Sequence, residues 1–226
     1  MNRFHTLFLD AAGTIIRPAE PPGEAYARIG REHGLQVTAA VMKQAFVQAW
    51  KGTAHPLHPE GSPPADDDRS WWLTVAARSY DLALGGPVPE KTMLPLFDQL
   101  YDHYAQPEAW TVYDDVRPVL EDLAADHQLI VLSNFDRRLH RVLEGHDLRR
   151  FFRAVIVSSE VGASKPHARM FAAALNAAGA PPAACLHVGD DEVCDAQGAA
   201  AAGVGFFHVA RPERGFEALR GFLRAR

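Results

Sequence analysis

Four short apolar runs, LIVLS (129–133), AVIVSS (154–159), CLHVGD (185–190) and VGFFHV (204–209), punctuate the second half of this 226-residue chain. Each is separated from the next by a helix-patterned stretch, such as Met170, Phe171, Ala174, Leu175 and Ala178. Continuous apolar runs rich in β-branched or aromatic residues fit strands buried on both faces. Strands of that kind alternating with helices define βαβ units and a parallel sheet. A fifth run, FHTLFL (4–9), opens the chain and is assigned to the same sheet.

Between the first strand and the rest the periodicity changes. Val41, Met42, Ala45, Phe46, Ala49 and Trp50 fall on one face of a 3.6-residue repeat, as do Leu96, Phe97, Leu100, Tyr101 and Tyr104. TAHPLHPEGSPPADDD (53–68) is too rich in Pro, Gly and Asp for regular structure. It ends in Asp67-Asp68, placed to cap a helix over RSWWLTVAARSYDLAL (69–84). The expected class is α/β: a Rossmann-like parallel sheet core flanked by helices, residues 1–16 and 107–226, with an inserted α-helical cap, 17–106.

The composition excludes several roles. Apolar residues make up 47% and charged residues 23%, as in a soluble globular protein. No apolar run approaches the ~18 residues of a membrane helix, and Met1-Asn2-Arg3 leads into a strand without signal-peptide features. A net charge of -5 without a basic run argues against nucleic-acid binding. Two cysteines, Cys185 and Cys194, make no disulfide framework. These features predict a cytoplasmic protein with no nucleic-acid or membrane partner.

Ligands of an open parallel sheet bind at the carboxyl ends of its strands. Asp10 follows the first run, Ser133-Asn134 the LIVL run, Lys165 the AVIVSSEVGAS segment, and Asp190-Asp191 the CLHVG run. Singly, these residues have ordinary readings: helix caps for Ser133-Asn134 and Asp190-Asp191, an Asx-turn for Asp10. Together they bring carboxylates, a hydroxyl, an amide and the only lysine of the second half of the chain to one sheet edge. That set supports phosphoryl or acyl-type transfer through a covalent aspartyl intermediate. Asp10 attacks; Ser133, Asn134 and Lys165 hold the anionic oxygens; Asp190 shares a Mg²⁺ with Asp10.

Four motifs in order, D-A-A-G-T (Asp10 to Thr14), L-S-N (Leu132 to Asn134), Lys165-Pro166 and G-D-D-E-V-C-D (Gly189 to Asp195), resemble those of the haloacid dehalogenase superfamily. A helical cap between the first and second motifs is its subfamily I arrangement. Longer stretches, LSNFDRRLHRVLEGHDLRRFF and VSSEVGASKP, resemble one branch of which many members carry no assigned substrate. The resemblance implies catalytic roles for Asp10 (nucleophile), Ser133 and Lys165. It implies substrate contacts from Thr14, Ser133, Asn134 and Lys165. It implies a Mg²⁺ site of Asp10, the Ala12 carbonyl and Asp190, with Asp195 supporting through water.

Position 12 departs from the pattern. Phosphatases of this superfamily carry Asp there as general acid and base, and Ala12 has no proton to give. Such catalysis is worth ~10²–10⁴-fold. One reading is a phosphatase of small phosphorylated metabolites whose leaving group needs little protonation, or whose proton comes from Asp136, His55, His58 or Lys51. A second is other bond cleavage. The haloacid dehalogenases lack the second Asp, but also lack the metal-type Gly189-Asp190, and place an Arg clamp where this chain has Val41 and Met42. Phosphonoacetaldehyde hydrolases carry Ala at this position and use a cap lysine, for which Lys51 has plausible reach. A third is a weakly catalytic protein that binds phosphorylated ligands or partners.

The remaining polar features have plainer expectations. Of Trp71 and Trp72, at most one faces the site. His55 and His58 lie in a Pro-rich loop that offers no helical face for a metal. Cys194 packs, and His187 is buried and hydrogen-bonded. The sequence thus predicts a Mg²⁺-dependent phosphatase of small phosphorylated compounds, monomer or homodimer.

Overall fold

The computed structural model describes residues 4–225. The strands are β1 (Thr6–Leu9), β2 (Ile16–Pro18), β3 (Trp110–Val112), β4 (Gln128–Ser133), β5 (Ala154–Val157), β6 (Cys185–Gly189) and β7 (Gly205–His208). The helices are α1 (Pro22–Glu32), α2 (Ala39–Gly52), α3 (Arg69–Leu84), α4 (Glu90–His103), α5 (Val116–Asp126), α6 (Arg138–Gly145), α7 (Ser158–Val161), α8 (Ala168–Ala178), α9 (Gly198–Ala201) and α10 (Phe216–Arg224). The five apolar runs of the sequence are the five strands of one parallel sheet, in the order β5-β4-β1-β6-β7.

That order fixes where a ligand sits. The chain moves outward from β1 through β4 to β5, then returns to the other side of β1 for β6 and β7. The direction reverses between β1 and β6, and such a reversal opens a crevice at the carboxyl ends of the two strands. Asp10 and Asp190 follow directly on these two strands. The register is held to the end, because Asp10 N donates to Val188 O at 2.9 Å.

The strand interior shows why the runs lack alternation. Leu7, Leu9, Leu129 and Val131 point into one core, while Phe8, Ile130 and Leu132 point into another across the sheet. A period of two with both faces covered leaves few positions for a polar residue. A third cluster, from Tyr26 and Ile29 to Phe97 and Leu100, belongs to α1–α4 alone. An antiparallel ribbon, β2 on β3 with Ile16 opposite Val112, carries the chain into this helical block and out of it. Three-residue strands lie below the length at which periodicity is visible, so the ribbon has no sequence signal.

One capping expectation is corrected. Asp67 and Asp68 adopt left-handed backbone conformations with φ of 56° and 58°, and Asp66 Oδ2 instead accepts from Ser70 N at 3.0 Å. Asp67 accepts from Arg137 N and Ser159 Oγ, and Asp68 pairs with His58 Nε2 at 2.9 Å. The loop 53–68 is thereby fastened across the sheet domain. His58 N donates to Gly162 O, and Arg169 Nη2 to His58 O at 2.7 Å. Both cysteines are free thiols, and among the described residues no helix is long and apolar enough to cross a membrane.

Phe8, fully buried at the centre of the sheet, reads out the core directly. Phe8→Ala is expected to cost ~3–5 kcal/mol, seen as a lower denaturation midpoint at unchanged slope.

Candidate active site

Asp10 ends β1 and is buried, and the turn after it is shaped for close approach. Gly13 has a φ of 92°, and a Cβ there would lie 2.4 Å from Asp190 Oδ2. Only a residue without a side chain lets the β1 turn and the β6 carboxylate share this space. Gly189 does the same on the other side, since a Cβ would stand 2.3 Å from Asp195 Oδ2. These two glycines are the local reason that three carboxylates meet.

Between them lies the Lys165 ammonium. It donates to Asp10 Oδ1 at 2.8 Å and to Asp195 Oδ1 at 2.6 Å, and is itself 2% exposed. Its main chain is held by Asn134, whose Oδ1 accepts from Lys165 N at 2.6 Å and whose Nδ2 donates to Lys165 O at 3.0 Å. Asn134, expected to touch substrate, spends its amide on positioning Lys165, and it caps no helix. His187, fully buried on β6, faces Asp195 Oδ1 at 2.8 Å and Phe8 O at 3.1 Å.

The other expected residues divide. Ser133 ends β4, lines the cavity described below, and makes no hydrogen bond through its hydroxyl among the described residues. Asp10 Oδ2 likewise takes no hydrogen bond from them. Thr14, expected among the substrate contacts, is instead fully buried and donates to Asp190 Oδ1 at 3.1 Å. It orients a carboxylate and does not line the cavity. Ala12 does line it, beside Asp10 and Asp190. Asp191 caps the turn that follows it, accepting from Val193 N at 2.8 Å and Cys194 N at 2.6 Å.

Electrostatics follow from the crowding. Burial, with the neighbouring Asp10 charge, pushes Asp190 up to about 6. Burial raises Asp10 as well, and Lys165 opposes it. For Asp195 burial is outweighed by Lys165 and His187, which hold it well below the carboxylate range. Lys165 is held above the usual lysine value by Asp10 and Asp195, against the opposing effect of burial. One oxygen each of Asp10, Asp190 and Asp195 lies within 4.8 Å of the others, a hard-oxygen set that suits a divalent cation such as Mg²⁺. Asp195 is already satisfied, since its Oδ2 accepts from Asp191 N and its Oδ1 from Lys165. Asp10 and Asp190 each keep a carboxylate oxygen that takes no hydrogen bond from the described residues, whereas Asp195 is bound to Lys165.

Above this edge opens a cavity of about 440 Å³, roofed by α1–α4. Its wall is largely aromatic, with Tyr26, Phe46, Trp50, Trp72, Tyr104 and Trp110 prominent. Trp72 lines it; Trp71 does not, and donates through Nε1 to Ala54 O at 2.8 Å. Periodicity marks such aromatics as helix core and gives no sign that the helices part above the sheet. Arg138, also in the wall and unforeseen, is bound by Asp136 through Nε at 2.7 Å and Nη2 at 2.6 Å. Its Nη1 donates to Tyr101 O at 3.1 Å. Asp136 is thus a counter-ion, and His58 is paired with Asp68, so neither is free to replace an acid at position 12. Lys51 and His55 do line the cavity, and burial lowers the His55 pKa. Burial, aided by the Asp191 charge, pushes the Cys194 thiol, which lines the cavity, up to about 12.

A reversing parallel sheet with an Asp–Lys–Asp array on its edge is a hydrolase architecture, and residues 4–203 match the family described as haloacid dehalogenase-like hydrolase. The chain belongs to that family. It is 37% identical over 205 residues to the human haloacid dehalogenase-like hydrolase domain-containing protein 3, covering 90% of this chain and 81% of the relative. A HAD phosphatase from Thermococcus onnurineus superposes with a TM-score of 0.67 at 21% identity, covering 97% of this chain and 98% of that one. L-2-haloacid dehalogenase from Xanthobacter autotrophicus superposes with a TM-score of 0.64 at 23% identity, covering 98% and 83%. One fold thus spans phosphatase and dehalogenase neighbours, and the choice between them rests on the site.

Gly13→Ala is expected to destabilise the protein by ~1–3 kcal/mol, from strain at positive φ and contact with Asp190. Chemical denaturation checks this.

Proposed function

We propose that this protein is a Mg²⁺-dependent phosphatase of small phosphorylated metabolites, with residues 17–106 as its cap and Asp10 as nucleophile. The observation that carries the reading is the Lys165 ammonium fixed against Asp10 Oδ1, while Asp10 Oδ2 and the Ser133 hydroxyl have no hydrogen-bond partner among the described residues. A point charge, a donor and an unengaged carboxylate oxygen at one sheet edge suit an incoming phosphoryl dianion.

Asp10 Oδ2 attacks phosphorus, the bond to the leaving oxygen breaks, and that oxygen departs with the electron pair. Lys165 and Ser133 hold the equatorial oxygens as charge redistributes. Water then attacks the phosphoaspartyl group, loses its proton to solvent, and releases phosphate with the Asp10 carboxylate restored. Asp10, Asp190 and the Ala12 carbonyl would hold Mg²⁺, which would supply positive charge to offset repulsion between these acids and the substrate. Asp195, fixed by His187, keeps Lys165 extended towards Asp10. A dehalogenase-type carboxylate clamp has less support, because the Arg138 guanidinium in the wall is already bound by Asp136.

Three measurements bear on this. Asp10→Asn is expected to lower turnover of p-nitrophenyl or acetyl phosphate by ~10³-fold or more, and retention of activity would remove the nucleophile assignment. Ala12→Asp is expected to raise hydrolysis of alkyl phosphates by ~10²–10⁴-fold by restoring the proton donor. Mg²⁺ is expected to raise the thermal midpoint of the wild type and to leave that of Asp190→Asn unmoved, as ligand linkage requires.

A further inference from the structure

We propose that the substrate is an aryl phosphate, the phosphate monoester of an aromatic alcohol, with its ring seated among the aromatic residues of the cavity and its phosphoryl group on Asp10. This rests on the reading of Asp10 as the phosphoryl-accepting nucleophile and specifies the leaving group that reading left open.

Two independent features converge on it. The first is a continuous girdle of rings around the cavity. Trp72 meets Trp50 at 5.2 Å between centroids, Trp50 meets Phe46 at 6.1 Å, and Phe46 meets Tyr26 at 5.2 Å. Tyr26 meets Tyr104 at 6.5 Å, Tyr104 meets Trp110 at 5.8 Å, and Trp110 meets Phe135 at 5.3 Å. All of these side chains line the cavity that also holds Asp10, Ser133 and Lys165. Aromatic pairs favour tilted and edge-on contacts at such distances, so these rings brace one another and the faces and edges they turn to the cavity are open to the same kind of contact with a ligand ring. A cavity of about 440 Å³ admits a phenyl or bicyclic group with its phosphate.

The charge distribution argues against polar alternatives. Arg138 is saturated by Asp136 and the Tyr101 carbonyl. Beyond Lys165 the wall offers a second phosphate or carboxylate only Lys51 and His55. A bisphosphate would find few free cations to meet its second phosphate.

The second feature is Ala12. Without a proton donor the leaving oxygen departs as its anion, and the anion's basicity sets the rate. A phenol has a pKa of ~10, whereas an alkanol lies near water at ~16. A phenolate leaves without help, and an alkoxide does not. In the step proposed, the P–O(aryl) bond breaks as Asp10 Oδ2 bonds to phosphorus. The phenolate takes the electron pair and is protonated by bulk water.

Four substrates separate the two features from each other and from the underlying reading: phenyl phosphate has a ring and a good leaving group, benzyl phosphate only the ring, acetyl phosphate only the leaving group, and ethyl phosphate neither. With Mg²⁺ and wild-type protein, kcat/KM for phenyl phosphate is expected to exceed that for benzyl phosphate by ~10²-fold or more. KM for phenyl phosphate is expected to lie about tenfold or more below that for acetyl phosphate, whose less basic leaving group raises kcat on its own. Ala12→Asp is expected to shrink the phenyl-to-benzyl ratio towards unity. Trp50→Leu and, as a milder change, Phe46→Leu are each expected to raise KM for phenyl phosphate by about tenfold and to leave KM for acetyl phosphate unchanged. Equal phenyl and benzyl rates in the wild type would overturn the leaving-group half. Equal KM values for phenyl and acetyl phosphate, unchanged in both girdle variants, would overturn the ring half. Either result leaves the Asp10 phosphatase reading standing, whereas no Asp10-dependent turnover of any of the four removes that reading itself.

Discussion

The Lys165 ammonium, buried between Asp10 and Asp195, is the contact on which the arrangement of the sheet edge depends. Three carboxylates packed without a cation repel one another, and burial makes each of them costlier still. Lys165 neutralises the pair it touches and leaves Asp190, which burial and the Asp10 charge push up to about 6, outside its contacts. Its own position is enforced twice, by the Asn134 amide on its main chain and by His187 behind Asp195. A charged residue with this much support on every side can be held in place before a substrate arrives, which is what electrostatic catalysis requires.

Much of the sheet was legible because buried parallel strands have a composition of their own. The runs around Leu129–Leu132 and Leu186–Val188 could be little else, and polar residues at their ends had to gather on one edge. That argument brought together Asp10, Ser133, Asn134, Lys165 and Asp190, and the family resemblance added Asp195. It did not show that Thr14 holds Asp190 or that Asn134, which lines the cavity, holds Lys165, because type and position are visible in a sequence, whereas partners are not. A hydroxyl or an amide at a strand end can serve a substrate or a neighbour, and here Asp190 and Lys165 claim them. Asp67 and Asp68 erred in the same way: Asp66 caps the helix and its two neighbours bind distant segments.

The cavity wall was illegible for a different reason. A helix presents one apolar stripe whether it faces a solid core or a void. Phe46 and Trp50 satisfy the same 3.6-residue repeat as Met42 and Ala49, yet the first pair lines the cavity and the second is buried among helices. Only the separation between the helices and the sheet tells them apart, and that separation is set by β2–β3 and by the loop 53–68, neither of which has periodicity.

The loop's fastening carries a consequence for selectivity. The helical block is joined to the sheet through the β2–β3 ribbon at one margin and clasped at another by Asp67 to Ser159 and by Arg169 to the His58 carbonyl. Block and sheet are jaws whose gape is preset by polar contacts that touch neither a phosphate nor a ring. The bulk this protein tolerates is therefore written partly in Asp67, Ser159 and Arg169. Relatives that keep every residue of the chemical centre can diverge in what they admit by changing the clasp alone.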